Sequence, residues 1–343
     1  MPFLFFKLSG ENLELGLKEI AMLFYPKKIE VQKRFDNFAL IKINCKEEDL
    51  KKVRKLAFSH FCAILIKKLK SLELKELDKI NWSFVKLPFC VRVIDLTKKE
   101  FPNIEARLAG PIYDFFTHHR EINTPFVSLE NPKTTILFVI REKEVYVCKM
   151  FWKAESGRFK NREPSKKPAF HPTSLKPKLA LLLVNLTNVK PNEILLDPFC
   201  GTGSILIEAG LIKSKPIGVD IDSKMIEGAR LNLNFYKVKG KLIIENALNL
   251  PKLFRANSID AIATDPPYGR STKIGAPTLD KLYKDFFDAA HFVLKKNRFL
   301  ALMYPHYIKA EKLIKKGKWK KIFSSEMYVH GGLTRKILVL QKK

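Results

Sequence analysis

The sequence predicts an α/β protein: a mainly parallel, doubly wound sheet with an antiparallel edge in the C-terminal half, preceded by a smaller α+β region. Three observations carry this. Beyond residue 173, short apolar strands alternate regularly with amphipathic helices, the rhythm of a parallel sheet covered on both faces. Two final strand-like stretches, 322–329 and 336–340, are joined by Gly331-Gly332, a tight turn that adds an antiparallel edge. Residues 156–172 lose apolar periodicity and contain Pro164, Pro168 and Pro172, which break helices and favour extended backbone. That segment marks a linker.

Each part divides further. Residues 1–50 alternate strand-like pieces (1–8 and 39–45) with a helical stretch at 12–25. The basic positions Lys67, Lys68 and Lys70 are expected on an amphipathic helix. A strand is expected at 87–93, a helix at 100–116 and a hairpin at 134–151 turning at Glu142-Lys143. After the linker come a helix (175–186), then strand and helix in turn at 194–197, 204–212, 216–220 and 223–235. A strand at 241–245, another at 260–265, a helix at 279–294 and a strand at 299–304 complete the series. The expected organisation is therefore 1–50, 51–155, the linker 156–172 and 173–343.

Charge narrows the function classes. Lys and Arg number 63 against 35 Asp and Glu, a net charge of +28. A polyanion is the natural partner of such a surface, because contact with phosphates releases condensed counterions. The excess is uneven: residues 1–50 balance, whereas 51–100 carry 13 basic against 5 acidic side chains and 301–343 carry 11 against 2. The linker adds Arg158, Lys160, Arg162, Lys166 and Lys167. No apolar run reaches membrane-spanning length, and the apolar start at Phe3 meets charge at once, without a basic leader. Five scattered cysteines, never spaced as CxxC, argue against a disulfide framework or a zinc site. A cytoplasmic protein without metal or membrane partner is expected.

In doubly wound sheets ligands bind beyond the carboxyl ends of the strands. Asp197-Pro198-Phe199-Cys200-Gly201-Thr202-Gly203 follows the first strand of the C-terminal half, and Gly201 and Gly203 let the backbone turn sharply against a ligand. The pattern is neither the dinucleotide GxGxxG nor a phosphate loop. The second strand ends in Asp220, whose carboxylate can accept two hydrogen bonds from a ribose diol. Asn246 and Ala247 follow the third strand, where a side-chain acceptor and a backbone amide can read an adenine edge. Asp222 reads as a helix cap and Cys200 as packing.

Asp265-Pro266-Pro267-Tyr268-Gly269 follows the fourth strand at the same edge. Consecutive prolines fix the backbone and leave its carbonyls free to accept. This suits an exocyclic base amine, whose lone pair is delocalised into the ring. Bonds from its N–H groups to the Asp265 carboxylate and the Pro266 carbonyl orient it, Asp265 takes the departing proton, and Tyr268 stacks on the base. Such a target must leave its stack.

These motifs, in this order, resemble the Rossmann-like methyltransferases that act on amines. The resemblance implies S-adenosylmethionine as cofactor, held by Thr173, Asp197, Phe199, Gly201, Gly203, Asp220, Ile221, Asn246, Ala247 and Asp265, with Asp265, Pro266 and Tyr268 catalytic. The α+β front half resembles a ferredoxin-like domain followed by a THUMP RNA-binding module. With the helix entry His171 to Pro177 and the segment His330 to Arg335, the whole chain is similar to the archaeal tRNA guanine-10 N2-methyltransferases. That implies tRNA as partner, a monomer, and RNA contacts from Arg158, Arg162, Lys166, Lys167 and Arg270. The sister family acting on guanine-6 and a DNA adenine or cytosine methyltransferase stay open.

Overall fold

The computed structural model describes residues 2–97, 102–119, 126–269, 275–330 and 333–343. In chain order its first elements are β1 (Phe3–Leu8), α1 (Leu13–Phe24), β2 (Ile29–Phe35), β3 (Phe38–Ile43), α2 (Glu47–Leu50), β4 (Ser59–Leu69) and α3 (Leu74–Asp78). Next come β5 (Phe89–Asp95), α4 (Ile104–His119), β6 (Thr134–Arg141) and β7 (Glu144–Lys153). Then follow α5 (Pro177–Leu186), β8 (Ile194–Asp197), α6 (Ser204–Leu211), β9 (Lys215–Asp220), α7 (Ser223–Phe235) and β10 (Lys241–Ile244). The last are α8 (Leu250–Leu253), β11 (Ile259–Thr264), α9 (Leu279–Val293), β12 (Leu294–Pro305), β13 (Trp319–His330) and β14 (Leu333–Lys342).

Two compact units result. One comprises Met1–Ser9, Lys27–Arg54 and Ser59–Ala154; the other comprises Gly10–Pro26, Lys55–Phe58 and Glu155–Lys343. The first is built on a seven-stranded sheet in the order β2-β3-β1-β4-β7-β6-β5. This sheet runs across the expected border at residue 50, because β1 pairs with both β3 and β4. Lys67 and Lys68 lie not on a helix but on β4, opposite Val147 and Tyr146 of β7. The physical reason is tertiary: Phe61, Cys62 and Ala63 are buried between two neighbouring strands, and ladder pairing overrides a local pattern that fits a helix as well. Strand β2 is an edge strand with little buried surface, so its sequence carries no strand signal.

The second unit matches the expected architecture. Its sheet order is β10-β9-β8-β11-β12-β14-β13, parallel from β10 to β12 and antiparallel through β14 and β13. Successive residues of its buried strands serve opposite layers. Leu195, Ala261, Ala263, Ala301 and Met303 pack in a core with α1 and α5, whereas Leu196, Ile262, Leu300 and Leu302 pack with α9. The Gly331-Gly332 turn lies outside the described residues.

Helix α1, expected with residues 1–50, therefore belongs to the second unit, and one buried acid explains its attachment. Glu19 is fully buried; its Oε1 accepts from the Ala57 N–H at 2.7 Å and the Asn185 amide at 2.6 Å, and its Oε2 from the Phe58 N–H at 2.8 Å. One side chain thus joins three separated segments. Burial raises its pKa to about 7 against these hydrogen bonds. The linker is likewise folded rather than free. Arg162 forks onto the buried Glu208 at 2.7 and 3.2 Å, Lys167 donates to Ser204 Oγ at 2.6 Å, and the Ala169 backbone pairs with the Asn232 amide at 2.9 and 3.0 Å.

Glu19→Ala leaves three buried donors without their acceptor and is expected to cost roughly 2–5 kcal/mol, read as a lowered melting temperature. Because the folded pKa lies above the unfolded value of 4.5, the charged acid is the disfavoured form in the fold. The wild type is therefore expected to lose stability as pH rises from about 4.5 through about 7, and Glu19→Ala to lack that component of the slope.

Candidate active site

The site occupies a cavity of about 710 Å³ in the second unit, at the carboxyl edge of its parallel strands. Strand β8 ends at Asp197 and the chain turns through Gly201 and Gly203, both left-handed at φ 49° and 84°. A Cβ on Gly203 would lie 2.9 Å from Leu233 Cδ1, so both conformation and space require glycine there. The turn is held from the next strand. Asp220 accepts from the Gly201 N–H at 2.8 Å and the Asp222 N–H at 2.9 Å, one on each carboxylate oxygen, which leaves each oxygen a further lone pair. Asp222 caps α7 through the Lys224 N–H at 2.9 Å, as its position suggests, and Cys200 is buried.

Asp197 lies beneath the turn, 1% exposed. Its Oδ1 accepts from Thr264 Oγ1 at 2.7 Å and from the Phe199 N–H at 3.2 Å, so β8 and β11 are joined by a side-chain bond where both strands end. Burial lifts its pKa to about 7, against those two bonds. Asn246 is more committed than its sequence position suggests. Its amide donates to the Gly275 carbonyl at 2.8 Å and its oxygen accepts from the Leu248 N–H at 3.0 Å. Thr173, Phe199, Ile221, Asn246 and Ala247 all line the cavity with Asp197, Gly201, Asp220 and Asp265; Gly203 stands just behind, at the N-cap of α6.

Asp265, Pro266, Pro267 and Tyr268 line the same cavity directly after β11. The Tyr268 hydroxyl donates to Asp265 Oδ1 at 2.6 Å, so the tyrosine holds the acid as well as presenting a ring. Tyr307, after β12, donates to the Tyr268 carbonyl at 2.9 Å and braces the turn. Desolvation raises the Asp265 pKa to about 6, while the charge of Arg335 and the Tyr268 bond pull it back down. Arg335, on β14, lines the cavity with its guanidinium 5.7 Å from the Tyr268 ring centroid. Arg335, Tyr307 and Thr264 carry no site signal in the sequence: Arg335 reaches the cavity through strand register, paired with Pro305, Tyr307 lines it from the turn after β12, and Thr264 acts behind it by bonding Asp197.

Of the basic residues expected to meet RNA, Arg162 and Lys167 are engaged with Glu208 and Ser204, and Arg158 donates to the Leu56 carbonyl. Lys166 is exposed. Arg270 lies outside the described residues. Among the described residues, no group of three or more His, Cys, Asp or Glu is arranged to hold a metal ion, and no helix is long and apolar enough to cross a membrane.

Comparison with known proteins places the chain in a family. The family profile described as "RMKL-like, methyltransferase domain" matches residues 164–337. A protein of Methanothermobacter thermautotrophicus named tRNA (guanine(10)-N2)-dimethyltransferase is 36% identical over 267 residues, covering 77% of this chain and 76% of the relative. One of the same name from Methanocaldococcus jannaschii is 35% identical over 273 residues, covering 74% of this chain and 70% of the relative. The chain belongs to the tRNA (guanine(10)-N2)-dimethyltransferase family. A profile described as "DNA methylase" also matches, over residues 18–231, and ends before the Asp265 turn. The crystal structure of TrmN from Thermus thermophilus superposes over the full length of both chains with a TM-score of 0.51 at 22% identity, a likeness of fold.

This member of the dimethyltransferase family is thus an enzyme that uses S-adenosylmethionine. The site's chemistry fits that cofactor. Asp197, Asp220 and Asp265 surround one cavity, all with pKa values raised chiefly by burial, and Asp220 and Asp265 each push Asp197 further up. Such acids favour a ligand with positive centres, and the cofactor carries an ammonium and a sulfonium. Asp197 and the glycine turn would hold its methionyl end, Asp220 its ribose, and the Asn246–Ala247 backbone its adenine.

Methyl transfer is expected to fall as pH drops through about 6, where Asp265 takes up a proton. Tyr268→Phe removes a bond that favours the carboxylate, so the acid limb of its pH–rate profile is expected to move to higher pH. An unmoved limb would assign it to another group.

Proposed function

We propose that this chain methylates the N2 amine of guanine 10 in tRNA, adding one or two methyl groups to a base turned out of its stack into the cavity. The observation that carries this reading is the convergence of Asp265 and the glycine turn on one cavity in a chain whose archaeal relatives bear that name. Asp265 Oδ1 is held by Tyr268, so Oδ2 accepts the incoming amine N–H, with the Pro266 carbonyl taking the second. S-adenosylmethionine, when bound, would supply an electrophilic sulfonium methyl, and these bonds to Asp265 and Pro266 orient the amine lone pair to meet it. The remaining catalysis is in-line positioning. Forming the nitrogen–methyl bond would break the carbon–sulfur bond, its electron pair staying on sulfur as the neutral thioether leaves. The proton lost from nitrogen passes to the Asp265 carboxylate, whose raised pKa favours that transfer. The Tyr268 ring stacks on the base.

In this reading the first unit is a THUMP-like module that grips the tRNA, and the protein acts as a monomer in the cytoplasm. Lys166 joins the RNA surface, whereas Arg158, Arg162 and Lys167 serve the fold. Lys166→Ala is accordingly expected to lower the salt slope of tRNA binding by up to about one, with an unchanged melting temperature. Arg162→Ala is expected to lower the melting temperature by exposing Glu208 to an unpaired burial.

The deciding experiment incubates unmodified tRNA, and duplex DNA in parallel, with labelled cofactor, followed by nucleoside digestion and mass spectrometry. N2-methylated guanosine mapped to position 10 is expected, abolished in Asp265→Ala with tRNA binding retained. Label in DNA would instead favour the DNA-methylase likeness; N6-methyladenosine would overturn the guanine assignment.

A further inference from the structure

The methyl-transfer scheme gives Arg335 no role, yet its setting is that of a ligand-binding group. Strand β14 places it opposite Pro305 of β12 and Met327 of β13, at the cavity end of the antiparallel edge. Among the described residues its Nη1 reaches the Met303 sulfur, at 3.8 Å, a weak acceptor. Its Nε is buried and has no hydrogen-bond partner among the described residues. No carboxylate forms an ion pair with it among those of the described residues, although Asp265 is near enough to feel its charge. A buried guanidinium N–H without an acceptor is costly to keep, and it persists where a ligand supplies the missing atom. The guanidinium also lies over the Tyr268 ring, beside the acid that receives the amine.

We propose that Arg335 is a substrate-contacting residue whose buried Nε–H donates to an acceptor atom of the target base, a ring nitrogen or a carbonyl oxygen, while Asp265 holds that base's amine. The inference rests on the guanine reading given above. Donor and acceptor are then read together: Asp265 accepts from the amine and Arg335 donates to its companion atom, so a base offering only one of the two is held poorly. Guanine offers two such acceptors, N3 and O6, on either side of its amine-bearing edge. An arginine with a directed N–H discriminates between bases in a way that a lysine, a compact point charge, does not.

The test compares tRNA carrying guanine, 3-deazaguanine or 2-aminopurine at the target position, with wild type, Arg335→Gln and Arg335→Lys. The first analogue lacks N3 and the second lacks the carbonyl, while both keep the amine. Arg335→Gln is expected to lose about 10- to 100-fold in kcat/KM on guanine, the size of one good arginine–base contact. Arg335→Lys should not restore it, and melting temperature and S-adenosylmethionine affinity should stay at wild-type values. One analogue, N3- or O6-lacking according to the atom contacted, should cost the wild type as much, and cost Arg335→Gln nothing further. Full activity of Arg335→Gln, rescue by Arg335→Lys, or a wild type indifferent to both analogues overturns the contact. If the glutamine variant does not fold, the two analogues on the wild type decide alone. A wild type inactive on the guanine tRNA itself removes the substrate reading and the contact with it, and is distinguished by the absence of any product.

Discussion

The site depends on carboxylates held in a desolvated place by hydrogen bonds from their own scaffold. Asp220 fixes the glycine turn by taking the Gly201 and Asp222 N–H groups, and Asp197 ties the ends of β8 and β11 together through Thr264. Each bond favours the charged form while burial opposes it, and burial is the larger effect at both positions. The result is a cavity rimmed by negative groups whose cost a cationic ligand relieves. The same bonds that shape the turn therefore set the charge preference of the pocket.

The scaffold beneath is rigid for ordinary reasons of packing. Alternate residues of the buried strands feed two separate cores, with Ala261, Ala263 and Ala301 leaving room for α5 and Ile262, Leu300 and Leu302 filling the layer under α9. Helix α1 is held to that scaffold by Glu19, which satisfies donors from two other segments. A polar bond in a dry core is unforgiving, since losing the acceptor strands every donor that relied on it. Glu19 thus ties together three stretches of chain that are far apart in sequence and all belong to the second unit.

Much of this was legible in the sequence, and the failures have definite causes. The alternation of strand and helix after residue 173 and the position of the Asp197–Gly203 and Asp265–Tyr268 turns at strand ends are local features: a period, a glycine pair or a proline pair dictates backbone geometry within a few residues. Lys67 and Lys68 were misread as helical because an isolated stretch of apolar and basic residues does not say which neighbours it will pair with. Strand β2 was missed because an edge strand buries too little to leave a pattern. Charge in a sequence carries no direction: Arg162 and Lys167 look like RNA contacts there, whereas Glu208 and Ser204 give those side chains inward partners.

By itself the sequence determined the sheet class, the order of its strands along the chain, and the residue types at the carboxyl edge where a cofactor and an amine can meet. Those properties follow from short-range rules of backbone and periodicity. Only the tertiary structure decided that Asp197 is nearly sealed, that Tyr268 holds Asp265 at 2.6 Å, and that Arg335 from the last strand enters the cavity with an Nε unpartnered among the described residues. Register between β12 and β14 places Arg335 there, across a separation of 70 positions from Asp265 (335 less 265). No local pattern encodes such a meeting; it exists only once the strands are paired.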